Sequence, residues 1–317
     1  MIRYLTHNEI DKEKWDAAID QALNGIIYPY SFYLDQVAPR WEALVYNDYE
    51  AVMPLPHRTK WGVRYVFQPF FIQQLGVFSS KPMGADTVER FIDAIPIHFR
   101  FCQLNFNTYN TIGGGRNRSV RKRRNFELDL IAPYEQLYAN YAENTRRNLK
   151  KAQKSGIFIT INSDPDIIIQ SFRNNRGKDI ASFSEADYLT LKHLIYSGLH
   201  RGNATIYSAW DETNSFCAGI VFMQSHRKSI LLFSGSMPQA RQNGAMAALV
   251  DRFISDHAGE NLTLDFEGSD QDSLARFYKG FGAKECSYYE LTIHNFPLIL
   301  KPITDLYLSW RRRSVRN

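Results

Sequence analysis

Two carboxylates one residue apart, Asp265 and Glu267, lie in the segment Leu262-Thr263-Leu264-Asp265-Phe266-Glu267-Gly268. Read as a strand, the segment places both on one sheet face, opposite Phe266. On a pocket wall, crowding raises the pKa of one and suits it to general-base chemistry; facing water, the two are surface charges. A buried central strand is expected to be apolar throughout, which favours the pocket. Upstream, Pro238 to Leu249 joins a strand to a helix in which Met246, Leu249, Val250, Phe253 and Ile254 recur at helical spacing. Its entry is Arg241, Gln242, Asn243, Gly244, Ala245 and Met246. Backbone N–H groups there have no intrahelical partner and the helix dipole is positive, so a pyrophosphate would fit. The plainer reading is a helix start with glycine as its turn. Arg147, Lys150, Lys151 and Lys154 share one helical stripe. That stripe could grip a phosphorylated substrate or an RNA backbone, or be a solvated face.

Other features exclude chemistry. Gly113, Gly114 and Gly115 precede Arg116, Arg118, Arg121, Lys122, Arg123 and Arg124, which reads as a flexible basic loop. It has neither the strand-loop-helix order nor the Gly-Lys-Ser/Thr ending of a nucleotide loop. The histidines show no metal-ligand spacing, so no metal is expected. Cys102, Cys217 and Cys286 are too few and too far apart for a disulfide framework or a Cys-x-x-Cys site. The aromatic stretch Tyr65 to Phe71 reads most economically as core, and Arg311, Arg312, Arg313 and Arg316 as a solubilising tail. No apolar run reaches the roughly 20 residues needed to cross a bilayer; Phe296 to Trp310 is broken by Lys301, Pro302 and Asp305. The N-terminus turns polar at Thr6 and His7 before a signal-peptide core develops, so a cytoplasmic location is expected. A net charge of +5 permits an anionic partner without selecting one.

These groups must be positioned by a chain of 317 residues, more than one hydrophobic core usually covers. Trp41 to Tyr46, Glu50 to Leu55 and Val63 to Phe67 read as a three-stranded antiparallel meander. Thr205 to Trp210, Phe216 to Met223 and Ser229 to Phe233 read as a second. Each is followed by a helix (Asp86 to His98, then Ala245 to His257) and a short strand (Cys102 to Asn107, then Leu262 to Phe266). Helical segments precede each meander, among them Lys12 to Ala22 and Tyr134 to Ser155. The repeated order predicts two tandem α/β domains, 1–128 and 129–317, each a mainly antiparallel central sheet flanked by helices.

The helix after the carboxylates runs Asp272-Ser273-Leu274-Ala275-Arg276-Phe277-Tyr278-Lys279-Gly280-Phe281-Gly282-Ala283. Together with Arg241-x-x-Gly244-x-Met246 it resembles the GNAT superfamily of acyl-CoA N-acyltransferases, whose pattern is strand, Arg/Gln-x-x-Gly-x-Gly/Ala, helix, strand, then Asn-x-x-Ala-x-x-Phe-Tyr-x-x-x-Gly-Phe. Met246 stands where that pattern has a small residue, and Asp272 where it has Asn. Asn144 to Gly156, Asn-Thr-Arg-Arg-Asn-Leu-Lys-Lys-Ala-Gln-Lys-Ser-Gly, resembles the helix opening the second domain of the Fem-type aminoacyltransferases, which are tandem GNAT-like proteins.

The resemblance implies transfer of an acyl group from acyl-CoA, such as acetyl-CoA, to an amine held between the domains, either a small molecule or a cell-envelope precursor. Arg241 to Met246 and Asp272 would hold the CoA, Tyr278 would protonate the leaving thiolate, and Glu267 or Asp265 would serve as base. Arg147, Lys150 and Lys151 would face the substrate. The first copy lacks an Arg/Gln-x-x-Gly loop at Leu75 to Gly84 and is expected to hold structure or substrate. The Fem-type alternative uses an aminoacyl-tRNA to modify a cell-wall or lipid-linked amine; the basic helix and Met246 favour it. A third reading is a non-catalytic binding protein that has kept the fold.

Overall fold

Apolar and β-branched runs become strands and the amphipathic runs between them helices, in an order that a computed structural model describes for residues 1–115, 117–179, 183–268 and 270–296. Arg116 and the Arg311 to Arg316 tail lie outside the described residues. The chain forms two compact units, Met1–Arg123 with the segment from Ser287, and Arg124–Cys286. Among the described residues, no helix is long and apolar enough to cross a membrane.

The first unit contains β1 (Ile2–Leu5), α1 (Lys12–Asp20), α2 (Ser31–Val37), β2 (Glu42–Tyr46), β3 (Ala51–Leu55), β4 (His57–Lys60), β5 (Val63–Val66), β6 (Phe78–Ser79), α3 (Ala85–Asp93) and β7 (Phe99–Phe106). The predicted three-stranded meander is not a single sheet. β1-β2-β3-β6 is one antiparallel sheet, whereas β4 and β5 form a hairpin in another, with β5 parallel to β7. Pro56 separates β3 from β4; lacking an N–H, proline cannot donate to the ladder and so lets the chain change sheets. The predicted helix to His98 stops at Asp93. Pro96 disfavours helical backbone at the residue before it.

The second unit follows β8 (Arg118–Asp129) and holds α4 (Tyr134–Ala139), α5 (Glu143–Lys154), β9 (Phe158–Ile161), α6 (Pro165–Asn174), α7 (Glu185–His200), β10 (Ala204–Trp210), β11 (Phe216–Ser225), β12 (Lys228–Ser236), α8 (Ala240–Asn243), α9 (Ala245–Asp256), β13 (Thr263–Asp265), α10 (Asp272–Lys279) and the start of β14 (Lys284–His294). The basic run predicted as a loop is therefore strand from Arg118 onward. Arg118 is ion-paired with Glu89 at 2.6 Å and Arg123 with Glu290 at 3.2 Å, which neutralises charge that would otherwise disfavour the extended chain. The second meander is present as antiparallel β10, β11 and β12. β13 runs parallel to β12, in register Ile230 to Asp265, and antiparallel to β8, in register Asp265 to Glu127.

α9 makes that parallel pairing possible by crossing from β12 back to β13. Its apolar stripe, Leu249, Val250, Phe253 and Ile254, is fully buried, with Phe253 stacked on Phe222 at 3.9 Å. Each such side chain contributes roughly 1.5–3 kcal/mol of burial. Two glycines fix how closely backbone approaches backbone here. Gly244 has φ +74, and a Cβ on it would lie 2.2 Å from the Asn148 carbonyl oxygen of α5. A Cβ on Gly268 would lie 2.1 Å from the Arg124 carbonyl oxygen of β8.

Gly244→Ala and Gly268→Ala are each expected to destabilise by about 2 kcal/mol or more, lowering the melting temperature by roughly 4 °C or more. Gly114→Ala, where nothing lies within 4 Å of the added carbon, should be neutral by the same calorimetric scan.

Candidate functional site

β13 ends at Asp265, and the chain leaves the sheet through Phe266, Glu267 and Gly268 before α10 begins. The predicted alternation therefore stops two residues short of placing both carboxylates on one face. The cause is local: Asp265 Oδ1 accepts from the Glu267 backbone N–H at 2.8 Å, an Asx turn that draws Glu267 into left-handed backbone with φ +50. Asn125 of β8 completes the turn. Its Nδ2 donates to Asp265 Oδ1 at 3.0 Å, and its Oδ1 accepts from the Gly268 N–H at 2.6 Å.

Asp265 is 2% exposed and fully partnered. Burial pushes its carboxyl pKa up, the Lys228 ammonium 3.5 Å from Oδ2 pulls it down, and Glu127 adds a smaller upward push. Lys228 also donates to Glu127 Oε1 at 2.6 Å. Asp265 thus acts through the backbone it holds, as a positioning residue.

Glu267 differs at every point. The residue retains some exposure, yet its Oε1 is sealed from solvent and has no hydrogen-bond partner among the described residues. Removing a carboxylate from water without a partner favours the neutral acid. Burial alone raises this carboxyl to about 8. The predicted cause, crowding by Asp265, is not what shifts it.

Tyr278 lies on the buried face of α10, its ring stacked on Phe266 at 4.8 Å and beside Phe126 at 5.9 Å. Burial, then the negative charge of Glu267, pushes its hydroxyl up to about 12, against the pull of the Arg176 guanidinium. Arg176 itself donates to Gln271 Oε1 at 3.2 Å, next to the start of α10. The end of β13 and the buried face of α10 thus bring together a carboxyl whose pKa is raised to about 8 and a phenol that stays protonated, which is the division of labour acid–base catalysis requires.

The other predicted residues lie elsewhere in the unit. Arg241, Gln242 and Asn243 form the short helix α8 instead of an open loop, with Arg241 and Gln242 exposed. Asn243 Oδ1 accepts from the Ala245 N–H at 3.0 Å, filling one free donor at the start of α9, while its Nδ2 donates to Cys217 Sγ at 3.2 Å. Gly244 and Ala245 are buried, and Met246 packs on the core. Asp272, at the first turn of α10, is ion-paired with Arg124 at 3.1 Å. Arg147, Lys150, Lys151 and Lys154 are exposed along α5; Arg147 donates to Asn144 Oδ1 at 2.7 Å, and among the described residues no carboxylate pairs with any of the four. The neighbouring Arg146 turns inward to the carbonyl oxygen of Ala139 at 2.6 Å.

Sequence reasoning passed over Asn125, Glu127, Lys228 and Arg176. The first two carried a signal: Asn125, Glu127 and Asp129 alternate with Phe126, Leu128 and Leu130, so one face of this strand is polar, and Asn125 is nonetheless 0% exposed.

No family of known sequences matches the chain, and no curated protein is detectably similar in sequence. Solved structures are similar in fold. FemX superposes with a TM-score of 0.63 over 96% of this chain and 99% of that one, at 12% identity. A conserved protein of unknown function from Bacteroides thetaiotaomicron gives 0.57 over 90% and 96%, at 8% identity. L-PGS from Bacillus licheniformis gives 0.52 over 97% of each chain, at 12% identity. The chain has the tandem GNAT-like fold of the Fem-type proteins.

Proposed function

We propose that this protein is an acyltransferase that moves an aminoacyl group from the 3′ ester of a charged tRNA to an amine. The observation that carries acyl transfer is Glu267 Oε1, sealed from solvent and without a hydrogen-bond partner among the described residues, on a carboxyl whose charge is felt by Tyr278. Glu267 takes a proton from the attacking amine as nitrogen bonds to the ester carbonyl. Tyr278 gives a proton to the departing ribose oxygen, leaving an amide and free tRNA. A binding module has no use for a carboxyl held without a partner, since such burial only costs stability.

Two observations favour tRNA as donor over acyl-CoA. The backbone of α5 closes against Gly244 and Asn243 caps Ala245, so the helix entry that would receive a diphosphate is occupied by the protein's own groups. The exposed cations of α5 offer a polyanion an uncompensated strip. The acceptor in this reading is a cell-wall or lipid-linked amine.

Four outcomes are expected. Charged tRNA should bind with an affinity that falls steeply with salt, and Lys150→Gln with Lys151→Gln should lower the slope of log K against log salt by roughly 2. Calorimetric titration with CoA should give no saturable heat; saturable binding abolished by Arg241→Ala would replace the donor with acyl-CoA. Glu267→Gln and Tyr278→Phe should each reduce kcat by about 10²–10⁴ with little change in KM, and wild-type kcat/KM should rise with pH to a plateau above about 8. Stability should move the other way. Between the ordinary value of 4.5 and about 8 the folded chain keeps a proton that the unfolded chain has lost, so stability falls as pH rises through that window. Glu267→Gln should flatten this fall and melt above wild type by roughly 4 °C or more beyond pH 8.

A further inference from the structure

The β4–β5 hairpin of the first unit has a surface that acyl transfer does not use. Its strands pair from His57 with Val66 to Lys60 with Val63, leaving Trp61 and Gly62 as a two-residue turn. Both turn residues have positive φ, +51 and +75, the pattern of a type I′ turn, whose first position is best filled by asparagine. Tryptophan there is strained, and its ring gains no packing: Trp61 is 87% exposed. Hairpin geometry alone therefore does not account for the residue.

The surrounding charge is of one sign. His57-Arg58-Thr59-Lys60-Trp61-Gly62-Val63-Arg64-Tyr65-Val66 contains no carboxylate. Arg58 and Lys60 are exposed, Lys60 Nζ lying 4.7 Å from the Trp61 ring centroid and the Arg58 guanidinium 4.3 Å from that of Phe67. Arg64, nearer the base, is committed to Glu42 at 2.7 Å, which ties the hairpin to β2. An indole on an exposed turn, with Lys60 beside it and Arg58 on the same hairpin, matches a bilayer surface in both respects: indole rings settle at the headgroup level, and cations are drawn to anionic lipid. Single-stranded nucleic acid is instead bound by aromatics lining a basic groove, and this ring stands on a convex turn.

We propose that the Trp61 hairpin is a membrane-docking device that seats the protein on anionic lipid by inserting the indole between headgroups. The inference does not depend on the donor or on the reaction.

The test is co-sedimentation of the full chain with vesicles of phosphatidylcholine alone and of phosphatidylcholine with phosphatidylglycerol, at low and high salt. Wild type should bind the anionic vesicles, weakly or not at all the neutral ones, and less in high salt. Trp61→Asn supplies the residue best suited to the turn, so the hairpin should fold at least as well; partitioning should nevertheless fall about tenfold or more. Arg58→Gln with Lys60→Gln should reduce it by roughly fivefold per charge removed. Lipids brominated near the headgroup should quench part of the wild-type tryptophan emission and none of the corresponding emission in Trp61→Asn. Undiminished binding of Trp61→Asn, or no binding of wild type to anionic vesicles, would overturn the proposal. So would tRNA binding that depends on Trp61 while vesicle binding does not, which would assign the hairpin to nucleic acid.

Discussion

Holding one oxygen of a carboxyl, Glu267 Oε1, away from water with no hydrogen bond from the described residues is the constraint on which the site rests. Glu267 and Asp265 are two residues apart, yet their situations are opposite: Asp265 is buried, whereas Glu267 keeps some exposure and has its Oε1 sealed from solvent without a partner among the described residues. Asp265 receives donors from Asn125, from the backbone of Glu267 and from the Lys228 side. Among the described residues those donors go to Asp265, and none reaches Glu267 Oε1. The turn that fixes the backbone of Glu267 is thus the same arrangement that strands its side chain. One carboxylate serves as scaffold and its neighbour, in the proposed reaction, as the base, a division made by partners and not by residue type.

Helix α5 links the site to the rest of the unit. Its inner side presses its backbone on Gly244 and so sets where α9 begins; α9 then returns the chain to β13, at whose end the carboxylates stand. Its outer side carries the unpaired cations. A change that shifted α5 would therefore be felt both at the carboxylates and along the basic strip.

Much of this was legible in the sequence. The helical period of Met246 to Ile254, the β10–β12 meander and the Asp272 to Gly282 motif marked the second unit and its fold, because burial on one face writes a period that composition cannot hide. Strand alternation picked out Glu267 together with Asp265, and the resemblance to the GNAT acyltransferases picked out Tyr278. Alternation missed the local geometry, since it predicts extended backbone and the φ of Glu267 is set by a hydrogen bond from its own N–H to the Asp265 side chain together with a residue some 140 positions upstream, Asn125. Long-range partners leave little local trace. Gly244 was similarly ambiguous: the sequence offers a glycine at a helix entry, and only the packing of Asn148 against it shows that another helix comes close enough to require one. In the first unit, Pro56 was the available sign that the meander changes sheets, and a reading by apolar runs alone passes over it.

The central claim is that the Glu267 carboxyl is neutral in the folded protein at pH values where glutamate is ordinarily ionised. The most direct measurement is a ¹³C NMR titration of glutamate side-chain carboxyls, with the Glu267 resonance assigned by its absence from Glu267→Gln. The account predicts a midpoint near 8. A midpoint near the ordinary 4.5 would show that the carboxyl is solvated or partnered, and would contradict it.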